Sequence, residues 1–225
     1  MDLRNVALAV WATAWIGAIG AYLLSAADGY VPWCIPHFEG CASISAAGRH
    51  GWGYFLFKAT MLPSAVFGII YWILCAHWLY RLAGQRTRCD TALSVLGIIG
   101  ALALVLYGTF LGSEGDVYQL LRRYATVLYF GFTYLAQLLL SYRARSLDAA
   151  PGIVSAKLWL GLIMLTCGLV LGALINLVED DDHLENVSEW IFATLLTLYP
   201  LLTWRLWRQT AFKISYSLPG EPRHR

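Results

Sequence analysis

Charged residues are scarce in this chain of 225 residues, where Asp, Glu, Lys and Arg make up 13% of the sequence. Soluble domains carry about twice that share, so the chain has too few charges to cover the surface of a soluble globule. The net charge of +2 indicates no basic surface for nucleic acid, and five scattered cysteines exclude a disulfide-stapled secreted fold. Apolar residues, in contrast, make up 59% of the sequence and its mean hydropathy is +0.58, which predicts a protein that crosses a membrane several times.

Apolar runs of membrane-spanning length occur six times along the chain. Each is close to the roughly 20 residues that cross the hydrocarbon core, and each is continuous rather than alternating, which indicates helices and not barrel strands. We therefore predict an all-α polytopic membrane protein, in which residues 1–225 form a single six-helix transmembrane domain and residues 208–225 form its cytosolic tail. The predicted spans are residues 6–26, 54–79, 91–112, 124–142, 158–178 and 190–207.

Basic and acidic residues separate between the two sides of these spans. Both termini and the second and fourth loops carry twelve of the sixteen Lys and Arg residues, Lys157 among them, whereas the other side carries ten of the fourteen acids. Because basic loops stay in the cytosol, this pattern predicts cytosolic N- and C-termini. Most tryptophans, such as Trp78, Trp190 and Trp207, fall near the ends of spans, so we expect them to be interfacial anchors.

The longest loop, residues 27–53, lies on the acidic outer side and is rich in aromatic residues and proline. A loop of this length in a compact domain is usually functional or disordered, and we expect this one to be ordered and packed on the membrane surface. Its two cysteines, Cys34 and Cys41, are the only ones on that side, and an oxidising compartment favours a disulfide between them. The alternatives are two unpaired thiols or a metal site that includes His37.

A second outer segment, residues 179–190, is acidic and contains His183. Its carboxylates, Asp181 among them, suit hard cations, and His37 with His183 could serve a transition metal. The run lacks the alternating ligands and the turn glycine of an EF-hand loop. We therefore predict no metal site and no cofactor, and interpret the segment as a solvated acidic face.

Six polar residues near the outer surface are the candidate lining of a pocket for a lipid headgroup: Ser43, Ser45, Arg122, Arg123, Asn186 and Glu189. The two arginines open the fourth span on the side where basic residues are scarce, and the last two residues are three apart, so they share one face of the sixth helix. Charges at membrane depth tend to face partners or cavities. The alternative interpretation is an interhelical ion pair, in which one of the arginines pairs with Glu189 or Glu114.

Catalysis by the outer loop is a competing interpretation. One of the two serines could act as a nucleophile, with a histidine (His37, His50 or His183) as base and an acid to orient it. The sequence contains no Gly-x-Ser-x-Gly elbow, no His-Glu-x-x-His motif and no phosphate-binding glycine loop. The catalytic residues of such an enzyme are therefore unknown, and enzyme activity is the less favoured interpretation.

Three segments, in order along the chain, resemble the DRAM/Frag/Sfk family of six-span membrane proteins. The first comprises Cys34-Ile35-Pro36, Ser43-Ile44-Ser45-Ala46-Ala47-Gly48 and Tyr54-Phe55-Leu56-Phe57 at the start of a span. The second is Leu128-Tyr129-Phe130-Gly131-Phe132-Thr133-Tyr134-Leu135, and the third is Asn186-Val187-Ser188-Glu189-Trp190 with Leu198-Tyr199 and a basic tail. The chain departs from the family pattern at Arg49-His50, where relatives often have Pro-Pro or Pro-Glu, and at Arg122-Arg123-Tyr124, where relatives frequently have a His.

The resemblance implies a role in lipid homeostasis or membrane remodelling, since relatives include a Golgi factor for remodelling GPI-anchor lipids, lysosomal modulators of autophagy and yeast proteins linked to phospholipid asymmetry. It implies no shared catalytic mechanism. We therefore expect a non-enzymatic multi-pass protein or lipid-binding scaffold, in a bacterial inner membrane or a eukaryotic plasma membrane or endomembrane. The alternatives are a lipid-modifying enzyme and an accessory subunit of a larger membrane complex. The expected partners are membrane lipids, with another membrane protein as a second candidate, and no nucleic acid.

Overall fold

The computed structural model describes residues 2–177 and 182–213. The regular secondary structure in this part of the chain is all helix, with no strand. The all-α prediction is confirmed. Two short helices, α2 (Pro36–Glu39) and α3 (Ile44–Ala47), lie between the first two of six long ones. The long helices are α1 (Asn5–Ala27), α4 (Gly51–Ala83), α5 (Arg88–Phe110), α6 (Asp116–Ser146), α7 (Pro151–Ile175) and α8 (Asp182–Gln209).

Five helices, α1, α4, α5, α6 and α7, are long and apolar enough to cross a membrane. The chain is therefore an integral, multi-pass membrane protein. Helix α8 is 28 residues long but less apolar, because Thr, Tyr, Trp and Pro occupy many positions in its apolar stretch. Each predicted span overlaps one long helix, except that residue 178 and the predicted tail from residue 214 onward lie outside the described residues.

The long helices form one bundle in which chain neighbours pack side by side. Helix α4 packs against α1 and α5, α5 packs against α6, and α8 contacts α1, α6 and α7. Close approach depends on a small residue where α4 meets α5, since a Cβ at Gly97 would overlap the indole ring of Trp72. This arrangement places the N-terminal half of α8 beside the segment that joins α1 to α4.

The prediction of interfacial tryptophans is wrong for three rings that fill the space between helices. Trp78, Trp190 and Trp207 are each at most 1% exposed. Two of them satisfy their indole N–H inside the bundle, since Trp78 donates to the Thr210 hydroxyl over 3.0 Å and Trp190 donates to a backbone carbonyl. The interior therefore supplies both the apolar contact and the polar partner that an interface would supply.

Lys157 does not lie at the cytosolic surface, as its sequence position suggested, but is fully buried. Its Nζ donates to the Thr203 hydroxyl over 2.6 Å and lies 3.4 Å from the Tyr199 carbonyl oxygen, above the Tyr199 ring. The Thr203 hydroxyl also bonds to the Tyr71 hydroxyl over 2.8 Å. The surface assignment failed because α7 begins at Pro151, well before the apolar run, so the lysine lies inside the helix and turns toward α8.

A buried acid joins α5 to α6. Asp90 closes a capping box with Thr87 at the start of α5, and its carboxylate accepts a bond from Arg143 Nε over 2.9 Å. The Asp90 side chain is fully buried, whereas the Arg143 side chain is 15% exposed. One carboxylate therefore satisfies a helix N-terminus and neutralises the arginine of the neighbouring helix.

Replacing Asp90 by alanine should destabilise the bundle by about 2–3 kcal/mol, because both the cap and a charge-assisted hydrogen bond are lost. The melting temperature of the detergent-solubilised protein, followed by tryptophan fluorescence, measures this effect. The control is Asp116→Ala, which removes an exposed acid from the first turn of α6. Equal melting temperatures for the two variants would contradict the role assigned to Asp90.

Candidate functional site

The segment between α1 and α4, residues 28–50, folds back over the ends of α1 and α8 and is called the cap. The structure joins Cys34 and Cys41 by a disulfide, with the Cα atoms 6.4 Å apart, so that the short helix α2 lies inside the closed loop. On the α1 side, the Tyr22 hydroxyl accepts a bond from the Cys34 N–H over 2.8 Å and lies 2.9 Å from the Cys34 carbonyl oxygen. The disulfide closes the first half of the cap, and Tyr22 holds it against α1.

Side chains of α8 bind the backbone of the cap. Near the start of α8, His183 Nδ1 lies 2.9 Å from the Glu39 carbonyl oxygen. The next two turns of α8 bind three successive residues of the cap. Asn186 Nδ2 donates to the Gly40 carbonyl oxygen and Trp190 Nε1 donates to the Ala42 carbonyl oxygen, each over 2.8 Å. Glu189 Oε2 accepts a hydrogen bond from the Ile44 N–H over 2.9 Å. These contacts satisfy polar backbone groups that irregular structure would otherwise leave without partners.

One glycine makes this close approach possible. Gly40 ends α2 in the left-handed region at φ +60°, and its Cα faces the His183 carbonyl group so closely that any Cβ would overlap the carbonyl oxygen. Both the backbone conformation and the contact therefore require glycine at this position.

Four of the six predicted pocket residues line one groove, formed by the cap, α6, α7 and α8, with a volume of about 740 Å³. These four are Ser43, Ser45, Asn186 and Glu189, and they lie together at the cap end. The rest of the lining is largely apolar and comes from the facing sides of α6, α7 and α8, as Phe130 and Leu169 illustrate. The groove therefore has one polar end and a long apolar portion between the helices.

A second, smaller cavity of about 70 Å³ lies inside the bundle next to the groove. Glu189, Thr126 and Phe130 line both spaces, so the Glu189 carboxylate lies where the two meet. The inner cavity is also lined by Tyr107, a residue that is 8% exposed and whose hydroxyl lies near Ser45 and Glu189.

The predicted ion pair between an arginine of α6 and an outer glutamate is wrong. Arg122 Nη1 instead donates to the carbonyl oxygens of Phe110 and Ser113, over 3.1 and 2.6 Å, and Arg123 is exposed. Neither arginine lines the groove, and in residues 2–177 and 182–213 the ion pairs are those of Arg4 with Asp2 and of Arg143 with Asp90. The reason is that the Arg122 guanidinium lies beside the last residue of α5 and the turn that follows it, where carbonyl oxygens accept its hydrogen bonds.

The metal-site candidates are held apart. His37 Nε2 bonds to the Thr194 hydroxyl over 2.9 Å, while His183 faces the Glu39 carbonyl group. Within the described part of the chain, no three His, Cys, Asp or Glu side chains are grouped so as to hold a metal ion, and Asp181 lies outside that part.

The two serines hold local structure and contact no histidine among the described residues. Ser43 Oγ accepts from Ala46 N over 2.9 Å and so caps α3, while Ser45 Oγ accepts from Arg49 Nη2 over 2.9 Å. The nucleophile–base pair of a serine hydrolase is therefore not assembled here.

His37 lies partly buried in the cap, beside the Trp190 ring. Its ring lies 5.3 Å from the Trp190 ring, centroid to centroid, and burial lowers the pKa of its imidazole below the ordinary value of 6.5. The neutral imidazole is therefore favoured in the folded cap.

The sequence profile of one family covers almost all of this architecture. The Frag1/DRAM/Sfk1/Cwh43P N-terminal domain matches residues 3–205, from the start of α1 to the last turns of α8. The chain belongs to this family. The resemblance found in the three sequence segments is confirmed, whereas no curated protein and no solved structure matches the chain. Two of those Frag1/DRAM segments meet in space, since Ile44 of the first bonds to Glu189 of the third.

Sequence reasoning missed three polar residues of this region in the Frag1/DRAM chain: Tyr22, Tyr107 and Thr194. Each lies inside an apolar run, where it was counted only as part of a span. A polar atom in such a run needs an internal partner or a cavity, and that requirement was the available signal.

Replacing Cys34 and Cys41 together by serine should destabilise the folded cap by about 2.5 kcal/mol on the chain-entropy model, because the short loop is no longer closed. The melting temperature with and without reductant measures this effect, and reductant should lower it only in proteins that keep both cysteines. The Cys89→Ser variant, which removes a cysteine at the start of α5, is the control. Five free thiols in the purified wild type, in place of the three of Cys75, Cys89 and Cys167, would contradict the disulfide.

Acidification should lower the stability of the folded cap, because it protonates His37. Because the folded-state pKa is lowered, the stability that this residue contributes is present above the unfolded value of about 6.5 and is lost as the pH falls below it. The melting temperature of the wild type should therefore fall more between about pH 7 and pH 5.5 than that of His37→Gln, whose amide does not titrate. Parallel falls in the two proteins would refute this assignment.

Proposed function

We propose that this membrane protein binds a membrane lipid in the groove between the cap, α6, α7 and α8, and acts without catalysis in lipid homeostasis or remodelling. The observation that carries the proposal is the groove itself, about 740 Å³ in volume, with polar residues gathered at one end. That volume lies in the range of small-molecule sites. Its division into a polar end and an apolar portion matches the division of a lipid into headgroup and acyl chain.

The apolar portion suits an acyl chain because two glycines widen it. Gly131 of α6 and Gly168 of α7 line the groove, and a Cβ on Gly131 would meet no atom within 4 Å. Helix α7 is also the least buried of the five candidate spans, with 17% of its most apolar stretch buried against 33–44% in the others. The groove therefore runs beside a helix that presents most of its surface to the bilayer.

We also infer that α8 crosses the membrane as a sixth span, with both termini in the cytosol. At about 1.5 Å per residue its 28 residues reach about 42 Å, more than the hydrocarbon core requires. The separation of basic and acidic loops supports the orientation. On this topology the cap and the polar end of the groove face the outer side, where a headgroup of the outer leaflet lies.

Filling the groove should displace the lipid. In Gly131→Leu the new side chain enters open space in the groove and should lower lipid occupancy more than about fivefold, the effect of about 1 kcal/mol of binding free energy. Native mass spectrometry of the protein from mild detergent measures bound lipid.

The matched control is Gly172→Leu. A Cβ at Gly172 also meets no atom within 4 Å, but this glycine of α7 does not line the groove. Equal lipid occupancy in the two variants, with both proteins folded, would overturn the lipid-binding proposal.

A further inference from the structure

The polar end of the groove carries two carboxyl groups from α8. Glu185 and Glu189 are one helical turn apart on α8, share one face and both line the groove. Across the described ranges, neither carboxylate lies within ion-pair distance of a basic side chain. Asn186, between them, donates its amide N–H to the cap and keeps its side-chain carbonyl oxygen as a further acceptor.

A single cation lies at the rim of this end. The Arg49 guanidinium bonds to the hydroxyl of Ser45, a lining residue, over 2.9 Å. The polar end therefore has two carboxyl groups from α8 and one guanidinium group from the cap. A zwitterionic headgroup with an ammonium and a phosphate carries the complementary charges.

The inner cavity adds a polar group next to this end. Tyr107 lines that cavity, which Glu189 shares with the groove, and is more than nine-tenths buried. Its hydroxyl lies near Ser45 and Glu189, so polar groups surround the Glu189 carboxyl group on the inner side as well.

We propose that the groove selects a phospholipid with a primary-amine headgroup, whose ammonium lies against Glu185 and Glu189 and whose phosphate faces Arg49. This inference rests on the proposed function, since it names the class of lipid that the groove holds. A primary ammonium donates three hydrogen bonds to carboxylate and carbonyl oxygens, whereas a trimethylammonium donates none. A headgroup with a phosphate and no amine leaves both carboxylates unpaired and is repelled by them.

The test compares phosphatidylethanolamine with phosphatidylcholine of identical acyl chains, which differ only in N-methylation. The delipidated full-length protein is mixed with equal amounts of the two lipids in mild detergent, and native mass spectrometry counts the bound molecules. We expect a preference of about tenfold for phosphatidylethanolamine, the size of one charge-assisted hydrogen bond. Phosphatidylglycerol, which has hydroxyl groups but no amine, should bind no better than phosphatidylcholine.

Charge-neutral variants locate the preference. Glu185→Gln with Glu189→Gln keeps an acceptor for the Ile44 N–H and should bring the preference to about onefold. Glu114→Gln is the control, because that acid is exposed in the turn between α5 and α6 and does not line the groove. Water-soluble glycerophosphoethanolamine should not displace the lipid, since it lacks acyl chains for the apolar portion.

The outcomes separate this inference from the proposed function. Lipid that binds the wild type without headgroup preference, or a preference that survives in the double glutamine variant, overturns the amine assignment alone. Displacement by glycerophosphoethanolamine also overturns it, in favour of a soluble amine ligand. Failure of the wild type to retain any lipid overturns both the proposed function and the inference.

Discussion

Irregular backbone that packs against the end of a helix bundle is shielded from water there, so its polar groups need partners within the protein. In this protein α8 meets that requirement for the cap. Asn186, Glu189 and Trp190 bond to Gly40, Ile44 and Ala42, one contact after another along the cap. The groove depends on the same contacts, since they place Ser43 and Ser45 opposite the polar face of α8. Removing α8 would therefore remove the site together with the support of the cap.

Much of this arrangement could be predicted from the sequence, because its causes are local. Continuous apolar runs of about 20 residues mark membrane helices, and the long helices overlap all six runs. The spacing of Asn186 and Glu189 places them on one face of a helix, and both contact the cap from that face. Two of the three motifs that carried the family resemblance proved to contact each other, through Ile44 and Glu189. Sequence patterns predicted those features that depend on a single helix.

The rest could not be predicted, because it depends on which helices become neighbours. Nothing near Lys157 in the sequence shows that Thr203 and Tyr199 of α8 receive its ammonium group. Arg122 was expected to meet a carboxylate, but the carbonyl groups at the end of α5 are closer. Trp78 and Trp207 have the sequence positions of interfacial residues and yet lie in the core. In each case a long side chain could turn inward or outward, and tertiary packing decided the direction.

Glu189 links two equilibria, the folding of the cap and the occupation of the groove. Its carboxylate holds Ile44 of the cap and also borders the space proposed for the headgroup, so occupation of the groove and folding of the cap act on one side chain. Where one equilibrium shifts another, the coupling free energy is the same in both directions. A lipid that orders Glu189 would tighten the cap, and anything that loosens the cap would weaken lipid binding by an equal amount. The disulfide between Cys34 and Cys41 closes a loop of that cap, so on the proposed function its reduction should lower lipid affinity.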